Sequence, residues 1–507
     1  MKTFVVAPAV HGHVVPPATS AVHSETTDVA VIGNGPSALT LSFILNGNWP
    51  YYNGSHPDEI IHARLNYYKN KSILETDFGE LSSGVSGQSR NLVANLFDQL
   101  LHPSTVYGDV DLTSCVSWKP VDCKVPHLIL GPHPPGGAWQ KMHGSKKALS
   151  FNNWLELPGL PLEEWVTRKG CCLRRRFPDN SRLPLAVWKH YYEDYPHEVG
   201  LEDSLRTGYY VTSVRNLAAH GDAETGENVT EDGENLQYPW EIKGERIGPD
   251  GEPEAFLIHA KKVVLATGTA ENPKQLHVIG EHRSWTGHTY DDMHNFIADN
   301  LHLDEHGENT KKAKRCWSRV VIVGSGLTAA DAVVEALTAG CHVYHIFDPK
   351  HSILSQLSER LYPDYAAIWK LMNGETRAQS TNFTGHYTPF PYGQVEKITS
   401  EHTVCVESQH GKKICLNKIE FVAVLVGSSP QLSYLNSDIS RKLPIKAGMP
   451  LDSKRNPVAI DQLTHESIYQ PGLFALGPLC GDNYVRFIPG GCVAAARSLI
   501  ADLTRCL

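Results

Sequence analysis

The sequence predicts an α/β fold built on two strand–glycine turn–helix openings, and three observations carry that expectation. Val29–Ile32 is a short continuous apolar run, as a buried parallel strand requires, and it leads straight into Gly33–Asn34–Gly35–Pro36–Ser37–Ala38. Arg319–Val323 does the same before Gly324–Ser325–Gly326–Leu327–Thr328–Ala329. A chain of 507 residues, 41% apolar and 20% charged, is long enough for two or three packed domains.

Each opening has the residue types of a Rossmann-like dinucleotide site. Gly33 supplies the tight turn, Gly35 lets the backbone approach a pyrophosphate, and Ala38 is small where helix meets strand. Gly324, Gly326 and Ala329 repeat the set. One such motif is weak evidence. Two in the same strand-to-helix context point to two nucleotides: a bound flavin and a diffusing hydride donor.

The other elements follow in order. Residues 1–24 read as a flexible tail, with order beginning near Asp28; Pro8 interrupts their one apolar run, so a secretory leader is not expected. Leu39–Leu45 reads as helix, and residues 49–125 as a polar, irregular insertion. His127–Leu130 is then the delayed second strand of the first unit. Leu183–Tyr195 reads as helix, Tyr209–Val214 as strand, and Asp222–Glu254 as an acidic excursion of hairpins holding a strand at Trp240–Lys243. Lys262–Ala266 is a strand ending in Thr267–Gly268. Residues 301–315 are charged and apolar-poor, a linker. After the second turn come a helix at Ala330–Leu337 and strands at His342–Phe347, Phe421–Val426 and Leu473–Leu476. A helix at Val493–Leu503 closes the chain.

Several residues carry specific expectations. Asp482, just past a strand and next to Gly481, can accept hydrogen bonds from a flavin ribityl chain. A helix starting near Gly491 can aim its positive end at the flavin pyrimidine ring. At the end of the second unit's second strand, Asp348 suits the ribose hydroxyls of NAD, whereas Lys350 and His351 suit the extra phosphate of NADP. The first unit has no acid at the matching place, Leu130–Gly131, and only the distant Asp58 or Glu59 could replace it.

Composition excludes other classes. A net charge of -9 gives no general attraction to nucleic acid or anionic membrane. No apolar run approaches the roughly 18 residues of a membrane span. There is no CxxC, so neither a thioredoxin-like pair nor a zinc ribbon is expected, and the 26 histidines are too scattered for a metal cluster. The 11 cysteines fit a reducing, intracellular compartment, with Cys171–Cys172 reduced; Arg174–Arg176 reads as a solvated face.

Gly33–Ala38, the GGAW stretch Gly136–Trp139, Ala266–Pro273, Gly324–Ala329 and Ala475–Asp482 together resemble the flavin-containing monooxygenase superfamily. With YPDY at Tyr362–Tyr365 and the turn Gly427–Pro430, the chain from Asp28 onward more closely resembles the oxidative stress-induced growth inhibitor family. The resemblance implies an FAD domain split over 25–300 and 430–507, with an NAD(P)H domain at 316–429 inserted in it. It implies NADPH-dependent monooxygenation by way of a flavin hydroperoxide, with molecular oxygen and an unknown substrate. It also implies a cytoplasmic or midbody protein with partners in the control of growth, cell death and cytokinesis. FAD would contact Gly33, Gly35, Pro36, Ser37, Ala38, Gly136, Gly137, Trp139, Thr267, Gly268, Gly481, Asp482 and Gly491. NADPH would contact Gly324, Ser325, Gly326, Leu327, Thr328 and Lys350. Asn152, after GGAW, would help hold the oxygenated flavin. The wider superfamily's FxGxxxHxxxY fingerprint is collapsed here to Trp285–Tyr290. That departure and the missing ribose acid leave a regulatory scaffold or redox sensor as the alternative.

Overall fold

The computed structural model describes residues 23–507 apart from 109–111, 145, 171–180, 219, 222–227, 230–236, 249, 302–317 and 376–381. The tail, Cys171–Cys172, Arg174–Arg176, nearly all of the 301–315 linker and much of the acidic excursion lie outside the described residues.

The first sheet has a parallel core ordered Leu205–Thr207, His127–Gly131, His23–Ile32, Pro253–Leu265, Leu473–Ala475. His127–Gly131 thus is the neighbour of the opening strand, as the sequence predicts, despite the long insertion between them. The opening strand explains its own apolar run. Val29 and Val31 face one core, with Leu39, Ile44 and Val493; Ala30 and Ile32 face the other, with Trp240 and Ile258. Both faces are covered, so no polar alternation is possible. The strand starts at His23 rather than Asp28, and its partner runs from Pro253 rather than Lys262. The added halves of the two strands pair with each other, and the partner's front half also pairs antiparallel with Trp240–Ile247.

The second sheet is all parallel: Thr286–Gly287, Phe421–Val424, Arg319–Val323, His342–Phe347, His386–Pro391. Val320 and Ile322 face the helices, while Val321 and Val323 face a small three-stranded sheet, Gln394–Ile398, Val404–Glu407 and Lys413–Leu416. Thr286–Gly287 and helix Tyr290–Leu301, expected within a first unit ending at 300, belong to this second sheet instead. Met293 and Ile297 are the reason: they are fully buried in its core.

The 49–125 insertion is more ordered than its composition predicts. Asn48–Tyr52 pairs with Val116–Pro120, and helix Leu92–Leu101 is almost wholly buried. Its polar residues hide the periodicity because each is buried with a partner. Asp98 holds Arg486, Asn95 accepts from the Ser89 N–H, and Gln99 donates to the Ser86 carbonyl. The final helix, Ile488–Leu503, begins five residues before the expected Val493. Pro489 is tolerated in its first turn. Gly490 gives way to the insertion: a Cβ there would lie 2.4 Å from the Val93 carbonyl oxygen. Cys123 and Cys506 are joined by a disulfide, which corrects the expectation of uniformly reduced cysteines; Cys123 lies against Thr504, beside the last helix. Among the described residues, no helix is long and apolar enough to cross a membrane.

Candidate functional site

Both glycine turns depend on backbone shapes that a side chain would spoil. Gly33 has φ +108°, and a Cβ there would sit 2.5 Å from the Ala266 carbonyl oxygen. Gly324 has φ +145°, with the Leu425 carbonyl oxygen 2.3 Å from its added Cβ. The first glycine of each turn therefore locks the turn against a neighbouring strand end. The helices that follow, Pro36–Leu45 and Leu327–Thr338, start at Gly35 and Gly326 with no side chain capping them. Their first-turn N–H groups, with the helix dipole behind them, form ready anion sites.

The two helix starts share one cavity of about 650 Å³. From the first unit, Gly33, Gly35, Pro36, Ser37, Gly137, Trp139, Thr267, Gly268 and Asp482 line it; from the second, Leu327 and Thr328 do. These predicted contacts are brought together. Ala38 is instead buried, where the helix packs on the sheet. Gly136 and Gly137, at φ +112° and +56°, bend the chain over the first turn, so that a Cβ on Gly137 would lie 3.1 Å from the Gly35 Cα. Gly481 has φ +96° and ends a short helical turn, which presents Asp482.

Other predicted contacts lie elsewhere. Gly491 packs on the buried His465 ring, 2.7 Å from an added Cβ, so its smallness serves the core. The Ser325 hydroxyl accepts the Asp348 N–H at 2.9 Å, and so ties the turn to the second strand. Gly324, Gly326 and Lys350 stand on the second unit outside the lining of this cavity. Asn152 is not brought to the cavity wall either. It is buried, its amide donates to the Ser181 hydroxyl at 2.6 Å, and its N–H donates to the Ser181 carbonyl. Its neighbours Ser150 and Leu155 reach the cavity instead.

Sequence reasoning missed several groups. Asp482 is buried; Ser89 Oγ donates to it at 2.5 Å and Asn91 Nδ2 at 2.7 Å, both from the insertion. Burial pushes its carboxyl up to about 7, against the pull of those two bonds. Only spatial proximity could have found this pair. Beyond the second strand, the space of a ribose acid is taken: a Cβ on Gly131 would strike the Asn34 side chain, which itself donates to the His133 carbonyl at 2.5 Å. Asp58 caps helix Glu59–Tyr67 and supplies no substitute. The acid that does reach the cavity there is Glu271, paired with Lys141 at 2.8 Å. In the second unit, burial holds His345 neutral, at about 4. Its Nε2–H donates to the Gly324 carbonyl at 2.8 Å, and its Nδ1 accepts from the Tyr387 hydroxyl at 2.8 Å.

These features fit a flavin dinucleotide: an uncapped helix start, a buried acceptor at Asp482, and walls of Leu130, Leu155, Val485 and Ile488. The pyridine nucleotide-disulphide oxidoreductase family model matches residues 222–477. Among solved structures, the bacillithiol disulfide reductase of Bacillus cereus is similar, with TM-score 0.54 and 14% identity, over 94% of this chain and 100% of that one. A flavin monooxygenase from Stenotrophomonas maltophilia has TM-score 0.50 and 14% identity, over 94% and 99%. At these identities the likeness concerns fold alone. The cofactors of this class are FAD and a pyridine nucleotide, and the chain is a flavoprotein oxidoreductase by family. Human oxidative stress-induced growth inhibitor 2 is 37% identical over 492 residues, 94% of each chain. Mouse oxidative stress-induced growth inhibitor 1 is 36% identical, over 95% of this chain and 97% of its own. With relatives this similar along nearly its whole length, the chain belongs to the oxidative stress-induced growth inhibitor family, within the pyridine nucleotide-disulphide oxidoreductases.

Proposed function

We propose that the protein is an FAD-dependent, NADPH-using monooxygenase, with FAD on the split first unit and NADPH on the inserted second one. One observation carries the reading: both uncapped helix starts open onto one cavity that no described cysteine lines. A shared cavity lets two nucleotides meet, and a lining with no dithiol among the described residues favours a small-molecule acceptor over a protein disulfide. Bound FAD would supply the route for electrons from the nicotinamide to molecular oxygen.

The chain's own part is to bind, orient and exclude water. The N–H groups after Gly35 and Gly326 hold the two pyrophosphates. Asp482 accepts a ribityl hydroxyl, and Glu271 is placed for the adenosine end. Lys350 and His351, exposed beyond the second strand, receive the extra phosphate of NADPH. Leu155, Leu327, Val485 and Ile488 keep water from the reacting centre. Growth inhibition under oxidative stress, which the relatives' names attach to them, is the process we assign, together with cell death and cytokinesis. One observation favours the alternative of a scaffold without turnover: Asn34 occupies the place of the ribose acid.

The full-length protein decides between them. The expected result is a visible flavin band on purification, NADPH consumption in air, and slower consumption of NADH. A colourless protein that takes up no added FAD would overturn the enzyme and leave the scaffold.

A further inference from the structure

A pair of cysteines remote from the cavity has the geometry of a redox couple. Val404–Glu407 and Lys413–Leu416 are antiparallel neighbours, and Cys405 stands directly opposite Cys415. Residues opposed in this way have Cα atoms about 4.5 or 5.5 Å apart, and a disulfide needs roughly 4.4–6.8 Å. Their Cβ atoms stand about 4.5–5.5 Å apart against the ~3.5–4.5 Å of a bridge, so an ångström of closure suffices. The two thiols already interact with each other.

The surroundings suit oxidation. Val404, Val406 and Leu416 point into the core, so the alternating thiols lie on the outer face of the hairpin. Cys415 is exposed and Cys405 is covered. Lys397, on the third strand, is paired opposite Cys405, so an ammonium, a thiol and a thiol stand in one row across the sheet. Burial and the facing Cys415 thiol push the Cys405 thiol up, against the smaller pull of Lys397, so Cys405 is the partner that resolves and Cys415, exposed, is the one that peroxide reaches. Of the other described free cysteines, Cys115, Cys341, Cys480 and Cys492 are all buried.

We propose that Cys405 and Cys415 are a dithiol that peroxides oxidise to a cross-strand disulfide. The Cys415 thiolate attacks a peroxide oxygen; the O–O bond breaks, a sulfenic acid forms, and an alcohol, or water from hydrogen peroxide, leaves. The Cys405 sulfur then attacks the Cys415 sulfur; the S–S bond forms, the S–O bond breaks, and water leaves. Two electrons pass from the dithiol to the peroxide, and two thiols plus ROOH give the disulfide, ROH and water.

The test uses the full-length protein exposed to hydrogen peroxide, alkylated, and mapped by mass spectrometry. The expected product is a Cys405–Cys415 cross-linked peptide two hydrogens lighter than the reduced pair, reopened by dithiothreitol. In Cys405→Ser the cross-link is absent, and dimedone labelling of Cys415 rises at least tenfold over wild type. Equal dimedone labelling in the two proteins, a Cys415–Cys415 dimer on a non-reducing gel, or both thiols staying alkylatable through the peroxide series would each overturn the proposal.

Discussion

The two glycine turns share a local pattern but differ in what the rest of the chain does around them. The first is enclosed. Helix Pro36–Leu45 is buried along its whole length, Gly137 lies over Gly35, and Asn34 is pinned to His133. The second is open: Gly326 and Thr328 are exposed, and an added Cβ on Gly326 would meet nothing within 4 Å. Enclosure suits a resident cofactor, and openness suits one that binds and leaves at each turnover. The motif alone does not set that difference. Segments far away in sequence do, above all the insertion and the final helix.

The largest expected effect breaks the comparison at its first member. Gly33→Ala forces a side chain into left-handed backbone and against the Ala266 carbonyl, at a cost on the order of 3 kcal/mol or more. Thermal melts should fall by many degrees and copurified flavin should vanish; a variant that keeps full flavin would show that the first turn is not closed.

The enclosure itself comes next. Asp98 and Arg486 form a buried ion pair between the insertion and the segment before the final helix. Asp98→Ala strands the guanidinium and should cost about 3–5 kcal/mol by chemical denaturation. Asp98→Leu with Arg486→Met should recover most of it. Failure of that double variant to recover would mean the pair does more than join two apolar surfaces.

Acid then probes the second turn and the core of the first unit. Burial holds His345, behind the second turn, and His465, behind Gly491, down to about 4. Below about 6.5 the unfolded chain takes up protons on these imidazoles and the folded chain does not, so stability falls as pH drops from about 6.5 to about 4. One imidazole accounts for up to about 3 kcal/mol. His345→Gln should flatten its share of the slope in denaturation midpoints compared between neutral and mildly acidic buffer; an unchanged slope contradicts a neutral His345.

The smallest effect sharpens the contrast. Gly326→Ala should leave melting and flavin content unchanged and raise KM for NADPH about tenfold, a change of about 1.4 kcal/mol. Loss of flavin in this variant would make the two turns equivalent.

How much of this could be read beforehand follows from burial. Val29–Ile32 and Arg319–Val323 were legible because strands covered on both faces have no polar alternation, and because Gly33 and Gly324 combine a positive φ with no room for a side chain. Leu92–Leu101 was illegible because Asn95, Asp98 and Gln99 are buried with partners outside the helix, Asn95 with Ser89, Gln99 with Ser86 and Asp98 with the distant Arg486, and a period-3.6 reading scores such residues as exposed. The same limit hid Ser89 and Asn91 on Asp482, and the Cys123–Cys506 bridge. Asn152 shows the opposite failure. It follows GGAW in sequence, but it opens a single 3-10 turn, Asn152–Trp154, and its side chain is directed toward Ser181.

Asn272–Pro273 and Ser428–Ser429, where the chain enters and leaves the second unit, lie side by side as an antiparallel bridge, and the Lys274 N–H donates to the Gly427 carbonyl. Among the described residues, no strand of the first sheet comes from between them. The second unit is therefore a guest on a two-ply stem. Cutting it out and splicing the stem with a short turn would remove no strand from its host, so the flavin half can be asked to stand alone.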